Sequence, residues 1–307
     1  MRVLLTGATG FAGGHILRAL LNANINVRAP VRGAASLLPS SPLLETPLID
    51  DLATADWNEL CNGVDAVVHA AAYAHDDRAD PAKIFRINRD ATAALAQAAA
   101  HHHARFIFLS SIRAQAGVSS PVPLKDGNPP QPDGPYGEAK LAAEAAINEA
   151  CPNNICLRLA PLYGPGVKGN LATLFKLAQT GIPLPFGALT AKRSLLSVET
   201  FSELIVRLLQ DDPDLVGTYL VAEPVALSIG EMIATLRAGA GRPPRLIPVP
   251  ASWIKAACFA LSKPLLWSRL GEPLMVSEAL ILERRYPAVF RPSSQGLTQW
   301  AKADQAD

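Results

Sequence analysis

Apolar residues follow two rhythms along this 307-residue chain. Short unbroken runs, as needed by a strand covered on both faces, fall at 2–6, 25–31, 46–50, 65–70, 105–109 and 154–159. Between them lie segments with helical spacing near 11–23, 82–103 and 134–150. Strand and helix in alternation predict a parallel sheet with helices on both faces, a doubly wound α/β fold. Past residue 160 the pattern changes. Helices near 170–180, 199–210, 228–239 and 275–284 alternate with short strands, and a smaller α/β C-terminal domain is expected over 161–307. Some of these later segments are expected to return to the first domain, 1–160. Residues 112–135 are rich in proline and carry no periodicity. A loop of that length in a compact domain usually serves as a lid or binding loop.

Composition narrows the class. Hydrophobic residues make up 49%, which suits a sheet buried on both faces. Charged residues are 18% and the net charge is +1, so no nucleic-acid or anionic-membrane footprint is expected. No uncharged apolar stretch reaches the roughly 18 residues of a membrane span. The nearest rival, 251–267, is interrupted by Lys255 and Lys263. The first strand begins at residue 2, so no signal peptide is expected. Cys61, Cys151, Cys156 and Cys258 lack metal-ligand spacing and read as reduced core cysteines of a cytoplasmic protein. His101, His102 and His103 point in different directions on a helix. They read as a solvated helix end, and no metal is expected.

The first strand runs into Thr6-Gly7-Ala8-Thr9-Gly10-Phe11-Ala12-Gly13, followed by a helical segment. Gly7 permits a tight turn, Gly10 lets a pyrophosphate approach the backbone, and Gly13 lets helix and strand pack closely. Strand, glycine turn and helix in this order predict a Rossmann-type dinucleotide site. A second pattern is Tyr136-x-x-x-Lys140, which puts a phenol and an ammonium on one helix face, a turn apart. A free tyrosine titrates near roughly 10. A nearby cation favours the phenolate and makes the group a proton shuttle.

The glycine turn, the Ser110-Ser111 pair after a strand, and Tyr136-x-x-x-Lys140 resemble the extended short-chain dehydrogenase/reductase superfamily. The match runs through nearly the whole chain and is similar to the nucleotide-sugar epimerase/reductase branch. The resemblance implies a Rossmann domain, a smaller substrate domain and a catalytic set of Ser111, Tyr136 and Lys140. Ser111 is the expected holder of the substrate oxygen, with Ser110 the other choice. The family often forms homodimers through two helices, here around 82–103 and 134–150.

The cofactor reading rests on strand two. A carboxylate at its end would hold the ribose of NAD. Here that position is Val31, followed by Arg32. Loss of the carboxylate removes repulsion of a 2′-phosphate, and arginine can bind that phosphate. NADP(H) is therefore expected, with NAD(H) the alternative. The strand resembles that of NADPH-using dihydroflavonol-reductase-like members. The resemblance also implies cofactor contacts at Thr9, Phe11, Ala12, Asp51, Leu52, Ala70, Ala71 and Ala72, with Asn88 supporting the site's backbone.

Sugar-nucleotide 4,6-dehydratases carry Asp-Glu directly after the catalytic Ser or Thr. This chain has Ile112-Arg113, which disfavours elimination. Ser-Ser-Ile-Arg-Ala resembles a segment of UDP-4-keto-6-deoxy-sugar reductases, such as those forming UDP-N-acetylquinovosamine. The run from Tyr163 to Leu171 resembles the same enzymes, whereas Pro161 departs from the asparagine of many epimerases. Substrate contacts are then implied at Ser110, Ser111, Arg113, Asn170, Leu171, Leu184, Phe186 and Arg193, with Lys168 assisting. The expected activity is reduction of a 4-keto sugar nucleotide. A 4-epimerase is the alternative, and an NADP-binding regulatory or assembly protein is the non-enzymatic one.

Overall fold

The computed structural model describes residues 1–33, 38–73, 80–211, 214–277 and 280–304. Its strands in chain order are β1 (Arg2–Thr6), β2 (Asn26–Arg28), β3 (Leu44–Glu45), β4 (Ala66–His69), β5 (Arg105–Ser111), β6 (Asn154–Leu159), β7 (Leu162–Tyr163), β8 (Lys192–Arg193), β9 (Leu196–Ser197), β10 (Gly217–Val221) and β11 (Leu227–Ser228). Seven of them form one sheet in the order β10-β6-β5-β4-β1-β2-β3. The registered pairs from β3 through β6 are all parallel. Strand order reverses between β1 and β4, where an open α/β sheet leaves a crevice at its carboxyl edge.

The chain divides into two compact units. One comprises 1–117, 129–159 and 198–220; the other comprises 118–128, 160–197 and 221–307. The first unit holds α1 (Phe11–Asn22), α2 (Trp57–Cys61), α3 (Pro81–Phe85), α4 (Ala91–His101), α5 (Ile112–Gln115) and α6 (Gly134–Ala150). Alternate strand residues Leu4, Val67, Phe106, Phe108 and Cys156 share one core with Leu95, Ala99, Ala143 and Ile147 of α4 and α6. This is the alternation a pleated sheet imposes. The alanine faces of α4 and α6 pack on each other within the chain.

The second unit adds α7 (Asn170–Gln179), α9 (Ile229–Gly239), α10 (Ala251–Ala260), α11 (Pro264–Gly271), α12 (Ile281–Arg285) and α13 (Ser293–Ala303); α8 (Val198–Gln210) belongs to the first. Its core gathers Tyr163, Phe175, Met232, Ile233, Leu236 and Trp300. A β-carbon on Gly296 would sit 2.1 Å from the Tyr163 hydroxyl, so only glycine admits that ring there. No helix among the described residues is long and apolar enough to cross a membrane.

Several expectations need correction. The third strand is at Leu44–Glu45, with Leu48 reduced to an isolated bridge to Val31. The loop expected from 112 starts with a helical turn, α5. The helix expected at 275–284 is the shorter α12, and 278–279 lie outside the described residues. Helices α10, α11 and α13 were not foreseen; α10 lacks the one-sided polarity that marks a surface helix in sequence. All four cysteines are free and buried. Burial pushes the Cys61 thiol up to about 12 and raises those of Cys151 and Cys156.

Candidate active site

The glycine turn is close-packed where β1 ends. Gly7 has φ +74, and a β-carbon there would lie 2.7 Å from the Ala71 nitrogen. A β-carbon on Gly13 would lie 2.1 Å from the Gly7 carbonyl oxygen. Gly10 donates its N–H to that same oxygen at 2.9 Å and opens α1 with no side-chain cap. Phe11, Ala12 and Gly13 thus form an uncapped first turn with no acidic residue, which suits a diphosphate. The backbone of Ala70 and Ala71 lies against Gly7, so residues 70 and 71 of β4's exit border the same turn. Thr9 is exposed, and Ala72 follows the alanine pair.

Behind the turn runs a buried chain of hydrogen bonds. Thr6 and His69 are partners in the β1–β4 register. The Thr6 hydroxyl meets His69 Nδ1 at 2.7 Å, and His69 Nε2 meets the Thr92 hydroxyl at 2.9 Å. Thr6 Oγ1 also accepts from the Ala71 N–H at 3.2 Å. Burial, with the Lys140 charge adding to it, pulls the His69 imidazole down to about 3 and keeps it neutral. Asn88 lies on a π-helical turn, Arg86–Asp90. Its side chain accepts from the Tyr73 N–H at 2.7 Å and donates to the Tyr73 carbonyl at 3.0 Å. Asn88 therefore clamps the backbone that leaves β4.

The residues expected near the nucleoside end occupy the far strands. Val31 is buried and Arg32 is exposed. Arg28, by contrast, is fully engaged, pairing with Glu45 at 2.9 Å and donating to the carbonyls of Leu60 and Asn62. Asp51 accepts from the Ala53 N–H and lies 3.6 Å from Arg86, and the Leu52 carbonyl accepts from the Trp57 indole.

At the end of β5, Ser110 and Ser111 point to opposite faces, as successive strand residues must. Ser110 is buried and donates to Glu144 Oε1 at 2.5 Å. Ser111 caps α5, accepting from the Arg113 N–H at 3.1 Å, and its hydroxyl is one of the groups that favour the Tyr136 phenolate. Burial raises the Tyr136 phenol above its ordinary value; the Arg113 cation and the Ser111 hydroxyl pull against that rise.

Lys140 occupies the same face of α6, but its ammonium donates to the Leu109 carbonyl at 2.8 Å and sits 4.4 Å over the Phe108 ring. Burial brings it down to about 7, opposed by the Glu144 charge. Arg113 is a second cation that acts on the phenol, one the sequence reading had not assigned there. Two glycines make this possible. A β-carbon on Gly137 would lie 2.3 Å from the Arg113 carbonyl oxygen, and one on Gly117 would lie 2.2 Å from the Asp133 carboxylate.

A further buried group supports α6. Arg158 on β6 donates through Nε to both oxygens of Glu144 at 3.1 Å and through Nη2 at 2.6 Å. Its Nη1 donates to the Gln115 side chain. Glu144, one turn past Lys140, thereby ties α6 to β5, β6 and α5. The i, i+4 spacing of Tyr136, Lys140 and Glu144 was the one sequence sign of it.

In the second unit, Asn170 opens α7 beyond Gly169, whose φ is +72, and is exposed, as is Lys168. Leu171 packs on the unit's core. Leu184 is buried, and its N–H and carbonyl are already paired with Arg245 and Ile247. Phe186 lies between two apolar clusters. Arg193 is buried and donates to the carbonyls of Val118, Ser268 and Glu272 at 2.8–3.2 Å; burial brings it down to about 10. His102 pairs with Asn58 at 3.0 Å, and no metal-binding group forms among the described residues.

Residues 3–222 match the family model of the NAD dependent epimerase/dehydratase family. The chain belongs to that family. It is an enzyme of the extended short-chain dehydrogenase/reductase type, in the branch that handles nucleotide sugars. A UDP-glucose 4-epimerase of Vibrio cholerae is 34% identical over 262 residues, 81% of this chain and 78% of the relative. The fold is shared with UDP-N-acetylglucosamine 4-epimerase from Bacillus cereus, at TM-score 0.75 and 21% identity over 98% of both chains. It is shared too with MoeE5, solved in complex with UDP-glucose and NAD, at TM-score 0.74 and 21% identity over 100% of this chain and 99% of that one.

Proposed function

We propose that this family member reduces the C4 keto group of a UDP-linked 4-keto-6-deoxy-hexose, with NADP(H) as the preferred cofactor. The observation that carries the reading is the placing of Ser111 at the end of β5 and the cap of α5, where its hydroxyl and the Arg113 cation both favour the Tyr136 phenolate. A bound nicotinamide dinucleotide supplies hydride. The uncapped turn at Gly10–Gly13 holds its diphosphate, and the 2′-phosphate falls to Arg32, with no carboxylate at Val31 to repel it. Asp51 and Leu52 border the adenine, and Ala70, Ala71 and Ala72 leave room for the ribose and nicotinamide.

Ser111 orients the substrate oxygen. Tyr136, kept protonated at neutral pH by its surroundings, gives that oxygen a proton as the carbon gains hydride. A ketone, a hydride and a proton then balance to an alcohol. Lys140 binds the nicotinamide ribose and stays close to the phenol's helix face. Ile112 and Arg113 provide no acid–base pair for eliminating water, so the reaction ends at reduction. Asn170, exposed at the start of α7, is the second unit's expected contact with the nucleotide sugar.

A second reading, NAD-dependent 4-epimerisation, is favoured by the Vibrio cholerae relative. Fluorescence titration with NADPH and NADH separates the two. Tighter NADPH binding, with no nucleotide carried through purification, is expected. NAD retained through purification would move the assignment to the epimerase. Tyr136→Phe should abolish turnover while cofactor binding persists; unchanged turnover would remove the mechanism altogether.

A further inference from the structure

Helices α10 and α11 form a hairpin in the second unit, turned at Ser262 with φ +56. A small cluster holds it: Leu189, Cys258 and Trp267, with Ile254 and Leu270 beside them. The remaining surface is unusual. Trp253 is 71% exposed, Leu261 67%, Phe259 54% and Leu265 50%. Of the exposed residues of α10, only Ser252 and Lys255 are polar. A solvent-facing helix surface normally reverses that ratio, and a contiguous apolar patch on a soluble protein marks a contact surface.

Charge identifies the contact. From Met232 to Gly271 there is no Asp or Glu, while Arg237, Arg242, Arg245, Lys255, Lys263 and Arg269 are all basic. The segment thus carries six basic residues and no acidic one, in a chain whose net charge is +1. Arg237 is buried; Arg242, Arg245, Lys255 and Lys263 are exposed. The Lys255 ammonium lies over two rings, 6.0 Å from the Phe259 centroid and 5.7 Å from that of Trp267. Lysine with an apolar stem and a charged tip, beside tryptophan, is how a polypeptide meets the boundary between lipid headgroups and acyl chains.

We propose that the α10–α11 hairpin docks the enzyme onto the surface of a bilayer rich in anionic phospholipid. Trp253, Phe259, Leu261, Leu265 and Leu266 enter the headgroup boundary, and Lys255 and Lys263 engage lipid phosphates. Ten and eight residues are too few to span a bilayer, so the hairpin lies on it. The composition-level expectation of no anionic-membrane footprint averaged this segment with the rest of the chain.

The test is flotation of the full-length protein with vesicles of phosphatidylcholine, with or without phosphatidylglycerol. Flotation with the anionic vesicles only is expected, with release at high salt. Trp253→Ser combined with Phe259→Ser, or Lys255→Gln combined with Lys263→Gln, should lower the bound fraction by roughly tenfold. Thermal melting and dinucleotide binding of both variants should match the parent, since all four side chains are exposed and none belongs to the site. Absence of flotation, or equal flotation with both vesicle types, overturns the proposal. Self-association in sedimentation velocity that Trp253→Ser abolishes, without flotation, overturns it in favour of a second copy of the chain.

Discussion

The guanidinium of Arg113 donates through Nη2 to both the carbonyl and the carboxylate of Asp133, each at 3.1 Å. Asp133 is the residue immediately before α6, so the contact sets a positive charge at the start of the helix that carries Tyr136. The Nε of Arg113 is buried and has no hydrogen-bond partner. Arg113→Met should raise the phenol's titration, because the cation now lowers it. In the reducing direction Tyr136 works as an acid, and activity is lost as pH rises through its titration. The alkaline limb of the kcat profile should therefore move up. Arg113→Lys should leave the limb in place. An unmoved limb in the methionine variant would return the tuning role to Lys140.

Glu144 and Arg158 form a bidentate pair with side chains only 3% and 10% exposed. Glu144→Gln leaves a buried guanidinium uncompensated, and urea unfolding should show a loss of about 3–5 kcal/mol. The exposed i, i+4 pair Arg207–Asp211 offers the comparison. Asp211→Asn should cost less than roughly 0.5 kcal/mol. Similar losses at the two sites would mean that the buried network contributes no more than a surface contact.

His69 links folding to pH. Its imidazole titrates at about 3 in the folded chain and at roughly 6.5 when unfolded. Between those values the unfolded chain binds the extra proton, so the stability it contributes is complete above pH 6.5 and falls away toward pH 3. His69→Phe should cost about 1–3 kcal/mol at pH 7.5, since Thr6 and Thr92 each lose a partner. Unfolding free energies measured at pH 7.5 and 5 should show the variant losing less on acidification than the parent. Parallel losses would rule out His69 as the group that titrates.

Adjacent glycines in α1 should behave differently. A β-carbon on Gly13 would lie 2.1 Å from the Gly7 carbonyl oxygen, whereas one on Gly14 would lie 3.4 Å from the Ala8 oxygen. Gly13→Ala should cost about 1–3 kcal/mol and weaken dinucleotide binding by displacing the turn. Gly14→Ala should be tolerated, gaining up to about 1 kcal/mol from helix propensity. Thermal melts and nucleotide titrations of the two variants test this.

What was legible in the sequence was local. The first strand, its glycine turn and α1 follow one another without a gap, and Tyr136 and Lys140 share a face by helical spacing alone. Relations that cross elements were not legible. Arg113 meets Asp133 twenty positions further on, across proline-rich chain, and no periodicity connects them. The choice between Ser110 and Ser111 depended on Glu144, which faces only one of them. Arg193 looks like a free cation in sequence; three carbonyls from distant segments occupy it in the fold. Helix α10 was hidden because its exposed side is nearly as apolar as its buried one.

The burial of Cys61, Cys151, Cys156 and Cys258 bears on how the enzyme can be handled. Thiolate, the form that reacts, is suppressed at Cys61, Cys151 and Cys156, and Cys258 is shielded in the cluster under α10. A cysteine introduced at Trp253 would be the thiol most open to a maleimide. A fluorophore or spin label could then be attached there without first removing the native four.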